Sequence, residues 1–168
     1  MEEKTLILSH KQINQKIKRV AIEILENNYT EKTLILAGIN NNGFGFAKQL
    51  TKALQKITDI EIKLARISLN PAKPISTDVQ IDMPESDFKN KVVIIVDDVA
   101  NTGRTIFFAF KPFLDIIAKK VEVAVLVDRK HKSFPIKVDY YGLSLATTLK
   151  ENIVVQIKDA RSMEVYLA

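Results

Sequence analysis

Ten residues near the middle of the chain, Val96-Asp-Asp-Val-Ala-Asn-Thr-Gly-Arg-Thr105, combine side chains that can do chemistry together. Two adjacent carboxylates, Asp97 and Asp98, end an apolar, mostly β-branched run that reads as a buried strand. Carboxylates accept hydrogen bonds from the paired hydroxyls of a ribose. A few residues on, Thr102-Gly103 permits a tight turn in which several backbone N–H groups point inward, while Thr102 and Thr105 add hydroxyl donors. These groups precede a helical stretch, and a helix amino terminus favours an anion. Sugar and 5′-phosphate would then be held by adjacent parts of one segment: Asp97 and Asp98 at the sugar, and Ala100, Asn101, Thr102, Gly103, Arg104 and Thr105 around the phosphate.

Positioning such a segment takes a strand beneath it and a helix after it, and the chain supplies both. Lys91 to Val96 is the strongest strand candidate, and a helix is expected from about Thr105 to Lys119. Pro112 lies inside that stretch and removes a backbone donor, so a kink or an early stop is expected there. From Lys11 to Asn28 the positions Ile13, Ile17, Val20, Ala21, Ile24 and Leu25 follow helical spacing. Thr33 to Gly38 reads as a buried strand, Ile39 to Gly43 as a loop, and Phe46, Ala47, Leu50, Ala53, Leu54 and Ile57 mark a second amphipathic helix. Ile60 to Leu69 and Val121 to Val127 are further strands, with three more at Val138 to Tyr141, Ile153 to Ile157 and Glu164 to Leu167. The polar stretch Asn70 to Asn90 holds three prolines and shows no period, so it is expected to be a long loop.

Strands alternating with helices imply right-handed crossovers and a mainly parallel sheet covered on both faces. Ligands of such sheets lie beyond the carboxyl ends of the strands. Three segments should converge there: Asn40, Asn41, Asn42 and Gly43; Asp97 to Thr105; and Asp128, Arg129 and His131.

A length of 168 residues suits one domain, residues 1–168, with a sizeable core. No cysteine is present, which removes disulfides and thiolate metal sites and favours a cytoplasmic location. The opening residues lack the basic and apolar regions of a signal peptide, and no apolar run is long enough to span a bilayer, so no membrane association is expected. The net charge of +5 favours anionic partners without choosing among them.

The Val92–Thr105 segment resembles the phosphoribosyl-pyrophosphate signature of type I phosphoribosyltransferases. Further stretches narrow the likeness: Lys18 to Asn27, Leu36 to Ile39, Val125 to His131, Phe134 to Gly142, Leu149 to Gln156 and Val165 to Leu167. Together they are similar to the bifunctional pyrimidine-operon attenuator/uracil phosphoribosyltransferase family, over most of the chain except Leu69 to Asn90. The resemblance implies an α/β fold of the type I phosphoribosyltransferase kind, a mainly parallel sheet flanked by helices with a small hood. It implies Asp97 and Asp98 as catalytic residues that hold the ribose and, indirectly, Mg2+. It implies phosphoribosyl pyrophosphate and a nucleobase or nucleoside monophosphate as partners, a homodimer or higher homo-oligomer, and RNA bound through a basic face. Lys11, Lys16, Lys18 and Arg19, with Arg129 to Lys132, are the basic clusters available for that face, and Asp128, Arg129 and His131 mark the base or RNA vicinity. Phe107, Phe108, Phe110 and Phe113 offer more aromatic surface than one helix face can bury, which suits a subunit interface.

Two departures from the family fall on pyrophosphate handling. Asn42 stands where the family's pyrophosphate loop carries an arginine before its glycine, and Ser68 to Pro74 replaces an Arg-Asp-Asp run, leaving Lys73 as its cation. Three readings therefore stand open: a transferase for a pyrimidine base, uracil first; a nucleotide-sensing regulator of the attenuator type with weak or no transferase activity; and a transferase for another base such as a purine.

Overall fold

The computed structural model describes residues 3–146, 151–159 and 161–168. Strand β1 (Thr5–Leu8) leads to Ser9, which caps helix α1 (His10–Asn28). The Ser9 N–H donates to the Gln12 side chain at 2.9 Å while the Gln12 N–H donates back to the Ser9 hydroxyl, a reciprocal box that satisfies two donors otherwise without partners. β2 (Thr33–Ile39), α2 (Asn40–Gln55), β3 (Glu61–Ser68), β4 (Gln80–Ile81), β5 (Val92–Ala100), α3 (Arg104–Ala109), β6 (Lys120–Arg129), β7 (Tyr140–Leu145), β8 (Ile153–Asp159) and β9 (Ser162–Leu167) follow.

The main sheet has the order β4-β3-β2-β5-β6-β7, with β3, β2, β5, β6 and β7 parallel and β4 antiparallel at one edge. Its central strands are nearly continuous apolar runs because both of their faces are covered. Leu34, Leu36, Ile94, Val96 and Leu126 share one core with α1 and α2; Ile35, Ala37, Val93, Ile95 and Val125 share the other with α3, Phe88 and Phe113. A small antiparallel sheet, β1-β9-β8, adds Leu8, Val155, Met163 and Val165 to the first core and corresponds to the expected hood. Among the described residues no helix is long and apolar enough to cross a membrane.

Several expected boundaries move. The helix after the carboxylates stops at Ala109 instead of running to Lys119, and Pro112 falls in a short 3-10 turn, Lys111–Phe113. A proline ring cannot continue the ladder, and the early stop is its consequence. The stretch 70–90 is not wholly irregular: Gln80 and Ile81 pair with Ser68 and Ile67, and Glu85–Asp87 form a 3-10 turn. The strand expected over 138–141 begins two residues later. Asp139 meets β6 first, exchanging two bonds with Val123, and the ladder starts at Tyr140 opposite Ala124. β1 has no counterpart among the expected strands; its four residues pair only with β9, at the far end of the chain. Phe113 belongs to the core, edge-on to Phe88 at 5.3 Å, whereas Phe107 stays exposed. Residues 149 and 150 of the resembling stretch 149–156 lie outside the described residues.

Candidate functional site

β2 passes into α2 without a loop, so the expected loop over 40–43 is the first turn of the helix. Two glycines permit this. A Cβ on Gly38 would stand 2.4 Å from the Phe44 Cα, and one on Gly43 would stand 2.6 Å from the Val96 carbonyl oxygen and 3.2 Å from Asp97 Oδ1. Only hydrogen lets the helix start lie this close to β2 and β5. Asn40 adopts a left-handed backbone (φ 51°), which asparagine tolerates better than most residues. Its side chain donates to the Leu69 carbonyl at 2.9 Å and accepts from the Leu69 N–H at 3.1 Å. Asn40 is thus spent on fixing the residue that follows β3. Asn41 is exposed, and Asn42 donates through Nδ2 to Asp98 Oδ2 at 3.0 Å.

Asp97 and Asp98 lie within β5, not in a loop after it, because β6 pairs with the strand as far as Ala100 opposite Asp128. Asp97 is 7 % exposed and Asp98 half-buried. Burial, the charge of Asp98 and a side-chain hydrogen bond with Asp98 together raise the Asp97 pKa well above the ordinary carboxylate range, against a smaller opposing effect from the Asp98 N–H, which donates to Asp97 Oδ1 at 2.9 Å. Asp97 therefore holds its proton to higher pH than an ordinary carboxyl does. Asp98 Oδ1 accepts from the Val99 N–H at 2.8 Å.

The turn proper is 101–103. Gly103 has φ 86°, and a Cβ there would stand 2.6 Å from Ile136 Cγ1, so glycine is required twice over. The Thr102 carbonyl accepts from the Ser133 and Phe134 N–H groups at 2.9 and 3.2 Å, which braces the turn from outside. Arg104 donates through its guanidinium to the Pro71 carbonyl at 2.7 Å. A cavity of about 560 Å³ opens over Ala100, Asn101, Thr102, Gly103, Arg104 and Thr105. It adjoins one of about 440 Å³ over Asn41, Asn42, Asp97, Asp98 and Ile153, with Pro71, Val99, Asn101 and Thr105 lining both. The carboxylates and the turn thus line two adjoining cavities. With α3 only six residues long, a phosphate there would depend on the turn's own N–H groups more than on a long helix dipole.

The third segment arrives with its charges partly committed. Asp128 is paired with Lys132 at 2.6 Å, Arg129 donates to Asn101 Oδ1 at 3.3 Å, and His131 is exposed. On α1, Arg19 donates to the Gly142 carbonyl at 2.7 Å, stapling the helix to β7, while Lys11 and Lys18 remain exposed. Pro71, in the stretch Ser68 to Pro74 singled out above, reaches the cleft, while Ile153, expected only as the start of a strand, was missed there because it carries no recognisable signal. Sequence reasoning also missed Arg66, a charge at a β3 position whose alternation asks for an apolar residue.

The proton on Asp97 gives a pH test. A raised folded-state pKa stabilises the protein fully below the unfolded carboxylate value of about 4, and that contribution is lost as pH rises through the folded value. Asp97→Asn keeps an acceptor for the Asp98 N–H without the titration. The ligand-free variant is therefore expected to melt several degrees above the unsubstituted protein at pH 7 to 8, with the gap closing toward pH 4. A gap that does not change between those pH values would contradict the assignment.

Comparison with known proteins agrees with this architecture. The phosphoribosyl transferase domain family matches residues 4–159. The bifunctional protein PyrR of Macrococcus caseolyticus (strain JCSC5402) is 34% identical over 163 residues, covering 94% of this chain and 94% of the relative. That of Bacillus pumilus (strain SAFR-032) is 35% identical over 170 residues, covering 95% and 93%. Among solved structures, a hypoxanthine-guanine phosphoribosyltransferase from Bacillus anthracis superposes with a TM-score of 0.76 at 18% identity, covering 98% of each chain. The hypoxanthine phosphoribosyltransferase of Trypanosoma cruzi gives 0.73 at 17% identity, covering 96% of this chain and 95% of that one.

Proposed function

This chain belongs to the phosphoribosyl transferase domain family, and from that premise we propose that it transfers the phosphoribosyl group of phosphoribosyl pyrophosphate to a pyrimidine base, uracil. One observation carries the reading: the cavity lined by Asp97 and Asp98 adjoins the one over the 101–103 turn, with Asn101 and Thr105 lining both. Asp98, the less buried carboxylate, accepts from the ribose hydroxyls. Asp97 holds it in place through the Asp98 N–H, and the turn amides with Thr105 hold the 5′-phosphate. The bond from C1 to the pyrophosphate oxygen breaks with its electron pair leaving on oxygen, a base nitrogen bonds to C1, and that nitrogen's proton passes to solvent. The protein's contribution is positioning and charge neutralisation.

Among the described residues no group of three or more His, Asp or Glu could hold a metal alone. Two adjacent carboxylates suit a partly hydrated Mg2+ carried mainly by substrate oxygens, which would neutralise the leaving group when bound.

Asn42 in place of a guanidinium favours a second reading, a nucleotide-responsive regulator with weak transferase activity that binds RNA through the exposed Lys11 and Lys18. The deciding experiment measures pyrophosphate release from phosphoribosyl pyrophosphate and Mg2+ with a panel of bases. Release is expected with uracil, at a rate below the ordinary enzyme value of about 10 per second, and Asn42→Arg is expected to raise it about tenfold without tightening uridine monophosphate binding. Release with hypoxanthine alone would move the assignment to a purine. Nucleotide binding without release for any base would leave the regulator.

A further inference from the structure

β3 breaks its own pattern at Arg66. Ile62 and Leu64 pack into the core beneath α2, and Arg66 takes the next position on that face. Its backbone is held on both sides by Asp82: the Arg66 N–H donates to Asp82 Oδ1 at 2.7 Å and the Arg66 carbonyl accepts from the Asp82 N–H at 3.2 Å. Its guanidinium carbon lies 4.2 Å from the centroid of the Phe44 ring, with Lys48 Nζ 5.3 Å from the same ring. The Arg66 side chain has no ion pair among the described residues, and its Nε is buried without an acceptor. A half-buried guanidinium fixed by stacking and left without an anion is costly to keep.

Its place in the fold suggests the anion. Arg66 is opposite Gly38, Gly38 lies against Phe44, and Phe44 is two residues past Asn42, whose amide reaches Asp98. Ser68, next on the same face, lines a cavity of about 740 Å³ with Asn40, Leu69, Asn70 and Ser76. Along the sheet edge the order is therefore Arg66 on β3, the first turn of α2, the carboxylates on β5, and the 101–103 turn. The 5′-phosphate and the C1 substituent leave a ribose ring from opposite ends. With the phosphate at the turn and the hydroxyls at the carboxylates, the C1 substituent is directed toward α2 and β3.

We infer that Arg66, held by Phe44, is the cation that neutralises the pyrophosphate leaving group, in place of the guanidinium absent at position 42, with Lys48 adding to the local field. This rests on the reading of the cleft as a phosphoribosyl pyrophosphate site. As the C1–O bond breaks and its electron pair moves onto the leaving oxygen, Arg66 stays protonated and offers N–H donors to the growing charge; no proton leaves it. Phe44 is a positioning residue.

The test is calorimetry on the full chain with magnesium pyrophosphate and, separately, uridine monophosphate. Arg66→Gln is expected to weaken pyrophosphate binding about tenfold or more while uridine monophosphate changes by less than about twofold, and Arg66→Lys to fall between. Pyrophosphate binding that is indifferent to Arg66, that weakens together with the nucleotide, or that is absent from the unsubstituted protein overturns the inference. If the Gln variant does not fold, the Lys variant reads the same difference at smaller amplitude. Nucleotide binding that survives in any of these cases leaves the ribose-phosphate reading standing; its absence from the unsubstituted protein removes that reading as well.

Discussion

Asp98→Asn is expected to lower phosphoribosyl transfer by about two to three orders of magnitude, the usual loss when a preorganised electrostatic contact is removed from a closed site. The substitution keeps the shape of the side chain and an acceptor for the Val99 N–H, so the fold should be untouched. What it removes is the charge of the one carboxylate that is half-buried and faces the cleft. It also removes the Asp98 charge that helps to raise the Asp97 pKa, so the remaining carboxyl should ionise more readily than before, although burial still opposes it. Asp97 lies too deep to take over at the sugar. The measurement is kcat/KM for phosphoribosyl pyrophosphate beside an unfolding curve. Ordinary activity in a well-folded variant would show that the carboxylates merely end a strand.

Gly43→Ala is expected to destabilise the fold by about 2–4 kcal/mol, although alanine is favoured over glycine inside a helix by about 1 kcal/mol. The added methyl meets the Val96 carbonyl oxygen at 2.6 Å, a backbone atom that cannot swing aside, and Asp97 Oδ1 at 3.2 Å. The start of α2 must lift from β5, and it carries Phe46, Leu50 and Leu54, each without exposure, partly out of the core. It also carries Asn42 away from Asp98, so nucleotide affinity should fall with stability. Gly45→Ala is the control. Its methyl would meet Ile157 at 3.6 Å, an ordinary contact, and the helix-propensity gain should make that variant neutral or slightly more stable. Denaturant unfolding of both variants separates the cases, and a Gly43→Ala protein as stable as the parent would mean that α2 can shift without cost.

The sequence by itself determined the alternation of strands and helices, a break in the helix at Pro112 as a kink or an early stop, and the location of the carboxylate-turn segment. Each of these is a local property. Apolar runs bury themselves, a proline lacks a donor wherever it stands, and Thr102-Gly103 turns the chain because of its own backbone freedom. The length of β5 was beyond local reading, since its last four residues are extended only because β6 runs beside them. The same holds for β1, whose partner lies at the opposite end of the chain. Within the candidate site, the residue types were legible and their uses were not. Asn40 reads as a possible ligand yet is committed to Leu69, 29 residues away. Two aspartates read as two equal carboxylates, yet burial raises the pKa of Asp97 well above the ordinary range. Arg66 carries no signal in the sequence, yet Phe44, brought in by the close approach at Gly38, stacks on its guanidinium. Hydrogen bonds, desolvation and stacking depend on which groups stand opposite one another, and only the packed sheet and helices settle that.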